Sequence, residues 1–343
     1  MKEHKNIEMN IFINKMNEPV TFNDKHILIF GGSGSLGNEF IQKHVAHNTI
    51  TNYSRDESKH WQMSLQYKTD QLRFIIGDIR DYNAVENAIL REQPHIIIIM
   101  AALKHIDRCE YAIHECLQTN CLGPMNVLNA IEKNNDRLTR LECTVMVSTD
   151  KACEPTNVYG MAKALAESAI VEKSLYVKNR KFVNIRYGNV LNSRGSIIPL
   201  LHEKGRDTNV ADFVLTHPEM TRFVMTLEQS VELIEYAVLN GESGDTVIPK
   251  LISMRLVDLM EIFSEKYGKP VRTGGLRPGE KMLESLISET QAMRLVKTDE
   301  GYMHIKPAYR GVISEEEVRN YNSKTNPLTK EELREYLCGL RLI

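Results

Sequence analysis

No apolar run in this 343-residue chain approaches the ~20 residues that cross a bilayer; the longest, Ile96 to Leu103, is eight. A membrane-spanning helix is therefore excluded on hydropathy, and no membrane partner is expected. The N-terminus carries Lys and Glu but no apolar segment ending in a small-residue cleavage site, so the chain reads as cytoplasmic rather than secreted. Charge of one sign is also missing. Lys and Arg number 43 against 45 Asp and Glu, a formal net charge of −2, so no bulk field favours nucleic acid and any anion must be bound by a local site. Six cysteines, Cys109, Cys116, Cys121, Cys143, Cys153 and Cys338, form no C-x-x-C pair and no cluster with His at zinc spacing. A disulfide scaffold and a metal centre are both unexpected, and the thiols read as small core residues.

What is present is a rhythm. Short apolar runs at His26–Phe30, Thr49–Tyr53, Arg73–Ile76, His95–Met100, Thr144–Ser148 and Phe182–Ile185 predict strands. Helical stretches at Asn38–Ala46, Ser58–Lys68, Tyr82–Arg91, Ala112–Asn134 and Val158–Lys178 separate them. Strands that are apolar on both faces and alternate with helices predict an α/β fold, a Rossmann-type doubly wound parallel sheet. Beyond Asn189, Gly and Pro become frequent. Short helices (Leu227–Asn240, Leu256–Tyr267, Lys330–Leu337) mix there with short strands such as Thr246–Ile248. The expected organisation is an extension over residues 1–20, a nucleotide-binding domain over 21–188, and a smaller C-terminal α/β substrate lobe over 189–343, some of whose segments return to the main sheet.

The first strand runs into Gly31-Gly32-Ser33-Gly34-Ser35-Leu36-Gly37 and then a helix. Glycine permits a tight turn and close backbone approach, and a helix N-terminus offers unpaired N–H groups to a pyrophosphate, so a dinucleotide site is predicted here. The second strand ends at Ser54-Arg55-Asp56-Glu57-Ser58-Lys59. Ser54, Arg55 and Lys59 suit the 2′-phosphate of NADP, while Asp56 and Glu57 keep NAD open. After the third strand, Asp78 is placed to accept from an adenine amino group, with Ile79 beside it; as a plain structural residue Asp78 would cap a helix.

Tyr159-Gly-Met-Ala-Lys163 sets a phenol and an ammonium one helical turn apart on a common face. A neighbouring cation favours the phenolate, so this pair can move protons. Together with the glycine turn it resembles the extended short-chain dehydrogenase/reductase superfamily. Further segments narrow the likeness: Tyr53-Ser-Arg-Asp-Glu, Ala101-Ala-Leu-Lys-His, Ser148-Thr-Asp-Lys-Ala, Pro155-Thr-Asn, Arg186-Tyr-Gly-Asn-Val, Ser193-Arg-Gly-Ser, Met220-Thr-Arg-Phe and Leu276-Arg-Pro-Gly-Glu-Lys. From Phe22 to Ser288 the chain resembles the UDP-N-acetylglucosamine 4,6-dehydratases, especially the soluble C5-inverting type. Membrane-anchored relatives that retain C5 configuration typically carry Met where this chain has Tyr159. Phe30 and Leu36 depart from the family's usual Thr and Phe without removing a reactive group.

That resemblance implies a reaction. Water is hard to remove across C5–C6 of a hexose until C4 has been oxidised, because only then is C5–H adjacent to a carbonyl. It implies Tyr159 accepting the C4 hydroxyl proton, Asp150 as acid at C6, Lys151 as base at C5 with its pKa lowered, Thr149 on the 4-oxygen and Lys163 on the nicotinamide ribose. Ala101 would line the cofactor site and Lys104 bridge cofactor and substrate. A UDP-sugar would be held by Asn189, Arg194, Thr216, Met220, Arg277 and Glu280, with Arg194 and Arg277 gripping the diphosphate and Glu280 orienting Arg277. Met220 by itself would be core packing and Arg222 a surface charge. A homo-oligomer, dimer or hexamer, is implied as well. Two other readings fit the same fold. A nucleotide-sugar 4-epimerase shares the glycine turn and the Tyr–Lys pair but needs no acid for C6 or base for C5, and a non-catalytic NADP-binding regulator needs none of these groups together.

Overall fold

The computed structural model describes residues 22–298, 300–311 and 320–343; the expected extension over residues 1–20 lies outside them. Six strands, β1 (His26–Phe30), β2 (Thr49–Ser54), β3 (Leu72–Ile76), β4 (Ile96–Ile99), β5 (Cys143–Val147) and β6 (Lys181–Ile185), pair in parallel in the order β3-β2-β1-β4-β5-β6. Alternate residues along each strand face opposite layers, as the two-residue period requires. Ile27, Ile29, Ile98, Val145 and Val183 pack with Phe40 and Ile41 of the helix Ser35–His44 and with Val231 and Ile234 of the helix Leu227–Asn240. Leu28, Phe30, Ile97, Ile99, Met146 and Phe182 pack with residues of the helices Tyr82–Glu92, Gly123–Lys133 and Val158–Tyr176. The Rossmann-type α/β fold follows directly, since a sheet with both faces covered must be apolar throughout.

The remaining strands are β7 (Asn189–Val190), β8 (Phe213–Leu215), β9 (Thr221–Met225), β10 (Thr246–Pro249), β11 (Ile252–Arg255), β12 (Val271–Thr273), β13 (Ser285–Ile287), β14 (Leu295–Lys297), β15 (Tyr302–Ile305) and β16 (Tyr321–Asn322). Three of them rejoin the main sheet. β10 pairs parallel with β6, and the antiparallel strands β15 and β14 then extend that edge. Residue 188 therefore does not separate sheet from lobe. The rest form small sheets, β11-β9-β7, β12-β8 and β13-β16. A distinct apolar core, including Leu201, Phe213, Met220, Met254, Phe263 and Leu333, holds the lobe together.

One expected helix is broken. The stretch Ala112–Asn134 is interrupted by a π-helical turn over Gln118–Leu122 between the helices Ile113–Leu117 and Gly123–Lys133. Asn120, in that turn, is fully buried and takes both backbone groups of Leu103: it accepts from the N–H at 2.7 Å and donates to the carbonyl at 2.8 Å. The turn thus ties down the loop after β4 that carries Lys104. No helix among the described residues is long and apolar enough to cross a membrane. Of the six free cysteines, only Cys338 is exposed.

Candidate active site

The order of the parallel strands reverses between β1 and β4, and a crevice opens there at the carboxyl ends of the strands. The cleft encloses about 1310 Å³ and runs from the glycine turn across the end of β5 to the lobe.

Its first wall is mostly backbone. β1 enters the turn at Gly31, whose φ is +94°; a Cβ there would stand 2.6 Å from the amide nitrogen of Ala101. Only glycine satisfies both the angle and the contact. The helix Ser35–His44 starts at Gly34 with no side chain capping it, so its first-turn N–H groups point at the space an anion would fill. Gly31, Ser33, Gly34, Ser35, Leu36, Gly37, Ile79 and Ala101 all line the cleft. At the end of β2, Ser54 donates to Ser33 at 3.1 Å and lies 2.6 Å from the Nε2 of His60. Asp56 caps the next helix by accepting from the Lys59 N–H and pairs with the Lys59 ammonium at 2.5 Å. Arg55 is half exposed, 3.7 Å from Asp78. Asp78 reaches the cleft, but Arg80 claims it, with Nε at 2.9 Å and Nη2 at 2.6 Å from the same carboxylate oxygen. Asp81 caps the following helix. These groups fit a dinucleotide: a capless helix end for the pyrophosphate, and at the ribose corner a serine and an arginine, with Asp56 and Asp78 already paired.

At the end of β5 the backbone turns through a short 3-10 segment, Asp150–Ala152, and the Asp150 N–H donates to the Tyr187 carbonyl at 2.8 Å. One oxygen of Asp150 accepts from the Thr149 hydroxyl and from the Lys151 ammonium, each at 2.9 Å; the other is buried with no hydrogen-bond partner among the described residues. Lys151 also donates to Asn189 Oδ1 at 3.3 Å and stands 3.6 Å from Glu284 Oε1. The helix Val158–Tyr176, capped by Asn157, lies against this turn. A Cβ on Gly160 would sit 2.2 Å from the Lys151 carbonyl, so glycine is what lets Tyr159 come this close. Thr149, Lys151, Tyr159 and Lys163 line one stretch of the cleft, while Asp150 is fully buried behind them.

The electrostatics differ from the sequence expectation in two respects. Burial favours a neutral Lys151 amine, but the carboxylates of Asp150 and then Glu284 outweigh burial and the opposing charge of Arg222, so its pKa is raised rather than lowered. The cation that bears most on the phenol is Lys151, not Lys163. Burial pushes Tyr159 up to about 12, and the pull in the other direction comes from the Lys151 charge and a hydrogen bond with Thr149. Lys163 donates to the Val147 carbonyl at 2.6 Å, and burial lowers its own pKa to about 8.

The second wall is made of long side chains. Lys104 donates to the Arg194 carbonyl, and the Arg194 N–H donates to Ser35 Oγ at 3.0 Å, so the lobe is clasped to the glycine turn. Arg277 donates through Nε to Glu280 Oε1 at 2.9 Å, the orienting contact expected of that pair. Asn189, Arg194, Thr216, Arg277 and Glu280 line the cleft. Met220 does not: it is fully buried in the lobe core, at the end of the turn that leads into β9, where its N–H donates to the His217 carbonyl at 3.2 Å. Arg222 is buried rather than superficial. It donates to the carbonyls of Thr221 at 2.7 Å and Lys281 at 2.8 Å and still reaches the cleft. Sequence reasoning missed Glu284 altogether. The one signal was its place just beyond the Arg277-Pro-Gly-Glu-Lys segment.

The sequence profile of the family described as "Polysaccharide biosynthesis protein" matches residues 27–307. A protein of Rickettsia felis named UDP-glucose 4-epimerase is 36% identical over 345 residues, covering 93% of this chain and 97% of its own. An uncharacterized membrane protein of Methanocaldococcus jannaschii is 35% identical over 330 residues, covering 92% and 96%. Among solved structures, Pen from Bacillus thuringiensis superposes with a TM-score of 0.84 at 30% identity, over 94% of this chain and 99% of that one. DesIV, a dTDP-glucose 4,6-dehydratase of Streptomyces venezuelae, gives 0.65 at 18% identity over 75% and 86%, and shares the fold. A glycine-turn nucleotide fold, matched along most of its length by that profile and by relatives above 30% identity, makes this chain a member of the polysaccharide biosynthesis protein family.

Proposed function

We propose that the protein is a nucleotide-sugar 4,6-dehydratase that converts UDP-N-acetylglucosamine to a UDP-2-acetamido-2,6-dideoxy-hexos-4-ulose, with inversion at C5 and NADP as its resident cofactor. The observation that carries this reading is the Asp150–Lys151 pair beside Tyr159 and Lys163. Hydride transfer at C4 alone gives no use for an acid and an amine 2.9 Å apart at that point.

Gly31 to Gly37, Ser54, Arg55 and Lys59 would hold the dinucleotide, and the pairing of Asp56 with Lys59 and of Asp78 with Arg80 supports NADP over NAD. When bound, the nicotinamide supplies reversible storage of the hydride from C4. Tyr159 takes the proton from O4, with Thr149 on the same oxygen; the step needs the phenolate, which burial opposes and the Lys151 charge and the Thr149 hydrogen bond favour. Lys151 takes the proton from C5, Asp150 gives one to the departing C6 hydroxyl, and water leaves. Once the stored hydride stands at C6, inversion needs a proton from solvent on the opposite face of C5, while the Lys151 ammonium yields its own to solvent. The proton that Tyr159 gained from O4 balances the one Asp150 gave up.

This sequence needs Asp150 protonated and Lys151 neutral, whereas the raised pKa of Lys151 describes an ion pair. One proton passing between them converts the resting pair into the working one. Closing the cleft over substrate excludes water and favours the neutral form, because burying two charges costs more than burying an acid and an amine. Asn189, Arg194, Thr216, Arg277 and Glu280 are assigned to the sugar and the nucleotide diphosphate.

A 4-epimerase remains the second reading, on the name carried by the Rickettsia felis relative. Incubation with UDP-N-acetylglucosamine and NADP, followed by NMR, decides between them. A 4-keto-6-deoxy sugar is expected; a C4 epimer as the sole product overturns the dehydratase. The same reaction in D2O reads C5, where a product retained at C5 would remove inversion.

A further inference from the structure

Glu284 has no part in the reaction as written, yet its surroundings are unusual. The side chain is 1% exposed, and neither carboxylate oxygen has a hydrogen-bond partner among the described residues. The buried pair of Arg186 and Glu167 closes to hydrogen-bonding distance, with Nε at 3.1 Å from the carboxylate. Glu284 instead faces two ammonium groups just beyond that range, Lys151 at 3.6 Å and Lys281 at 3.4 Å. Its backbone is fixed on both sides: the N–H donates to Ser323 Oγ at 3.1 Å and the carbonyl accepts from the Ser323 N–H at 2.9 Å. Lys281 is tied in turn to the β5 end, donating to the carbonyls of Cys153 and Glu154. A desolvated carboxylate is thus carried on the lobe and aimed at the one lysine of the β5 turn.

We propose that Glu284 is the positioning residue for the Lys151 amine, holding that nitrogen between the end of β5 and the lobe. The proposal rests on the dehydratase reading for its purpose, not for its geometry. Lys151 is faced by Asp150 from its own turn, Glu284 from the start of β13, Arg222 from β9 and Tyr159 from the helix Val158–Tyr176, with the Asn189 amide oxygen on β7. Two carboxylates and one guanidinium therefore set its proton affinity, and Lys281 competes for Glu284. With Asp150 alone, the amine would lose its proton at lower pH and would be free to swing away from the lobe. The second carboxylate keeps it protonated and in place until substrate arrives.

The test is a titration of Lys151 in the full-length protein, by competitive labelling of its amine across pH with peptide mass spectrometry as readout. Glu284→Gln should lower the midpoint by roughly one unit or more. Glu284→Asp, which keeps the charge, should return most of the wild-type value, and Lys281→Met should raise it. The acidic limb of the kcat–pH profile should move with the midpoint in each variant. A merely structural role predicts slower turnover with an unmoved midpoint, and that result in both Glu284→Gln and Lys281→Met overturns the proposal. Should Glu284→Gln fail to fold, Lys281→Met alone decides: an upward shift supports the assignment and an unchanged midpoint removes it. Labelling needs no turnover, so a wild-type protein that forms no 4-keto-6-deoxy sugar counts against the dehydratase reading while the titration still reports on Glu284.

Discussion

The two walls of the cleft are built by different means. On the side of β1 to β6, the groups that face the cleft are backbone amides and side chains rooted at strand ends, fixed by a sheet buried on both faces. On the lobe side they are long charged chains held by their neighbours: Arg277 by Glu280, and Arg194, whose carbonyl accepts from Lys104 of the loop after β4. The first wall is ordered by the fold itself and has nothing to rearrange. The second is ordered by contacts that a diphosphate can replace, since an arginine can exchange a carboxylate partner for a phosphate of similar geometry. Chemistry is therefore expected to fail when the first wall is altered, and affinity when the second is.

The sharpest way to break that contrast is Lys151→Met. Removing a proton handler should lower the dehydration rate by about 10²–10⁴-fold while circular dichroism and cofactor binding stay at wild-type values. A rate near wild type would erase the distinction between the walls. Next comes Arg55→Ala. Loss of a charge-assisted contact to the 2′-phosphate should weaken NADP binding by about 1.5–3 kcal/mol, with NAD unaffected, as read by fluorescence titration of both dinucleotides. Equal losses for both would place Arg55 outside the ribose corner. Arg277→Ala probes the lobe: KM for the UDP-sugar should rise about tenfold with kcat nearly unchanged, the signature of binding lost equally from ground and transition states. A fall in kcat instead would move Arg277 into the chemical step.

A further effect concerns Lys163 and stability. Its pKa is about 8 in the folded chain, against ~10.4 for an unfolded lysine. Between those values the unfolded state binds more protons, so the contribution of this group to stability rises with pH, by at most ~1.4 kcal/mol per unit. Denaturant unfolding of wild type and Lys163→Met from pH 8 to 10.5 should show the wild type gaining relative to the variant. A flat difference would mean that the amine is not desolvated as described.

The first wall was also the more legible in the sequence. Strands β1 to β6 all lie within a residue of their expected bounds at each end, because runs such as Ile96–Ile99 have no wet face and fit only a covered sheet. The helix after the glycine turn starts at Ser35 rather than Asn38, since its first turn is the glycine-rich segment itself. Apolar spacing could not reveal the break in the stretch Ala112–Asn134: one extra residue in a helix leaves the composition unchanged. The lobe was harder to read because burial of its charged residues is decided by partners far away in the chain. Arg222 is covered by the distant Lys281 carbonyl, and Glu284 faces Lys151 at the end of β5. Met220, a motif position near the nucleotide in the implied family, points into the lobe core from the turn before β9, where no two-residue period marks an inward position.

The π-helical turn at Gln118–Leu122 makes this part of the chain sensitive to length rather than to identity. Deleting any single residue there would restore an ordinary helical register and carry Asn120 around the axis, away from both backbone groups of Leu103. The loop bearing Lys104 would come untied although every residue that faces the cleft was still present. Homologous chains with the same cleft should therefore tolerate many exchanges along this helix but no one-residue indel.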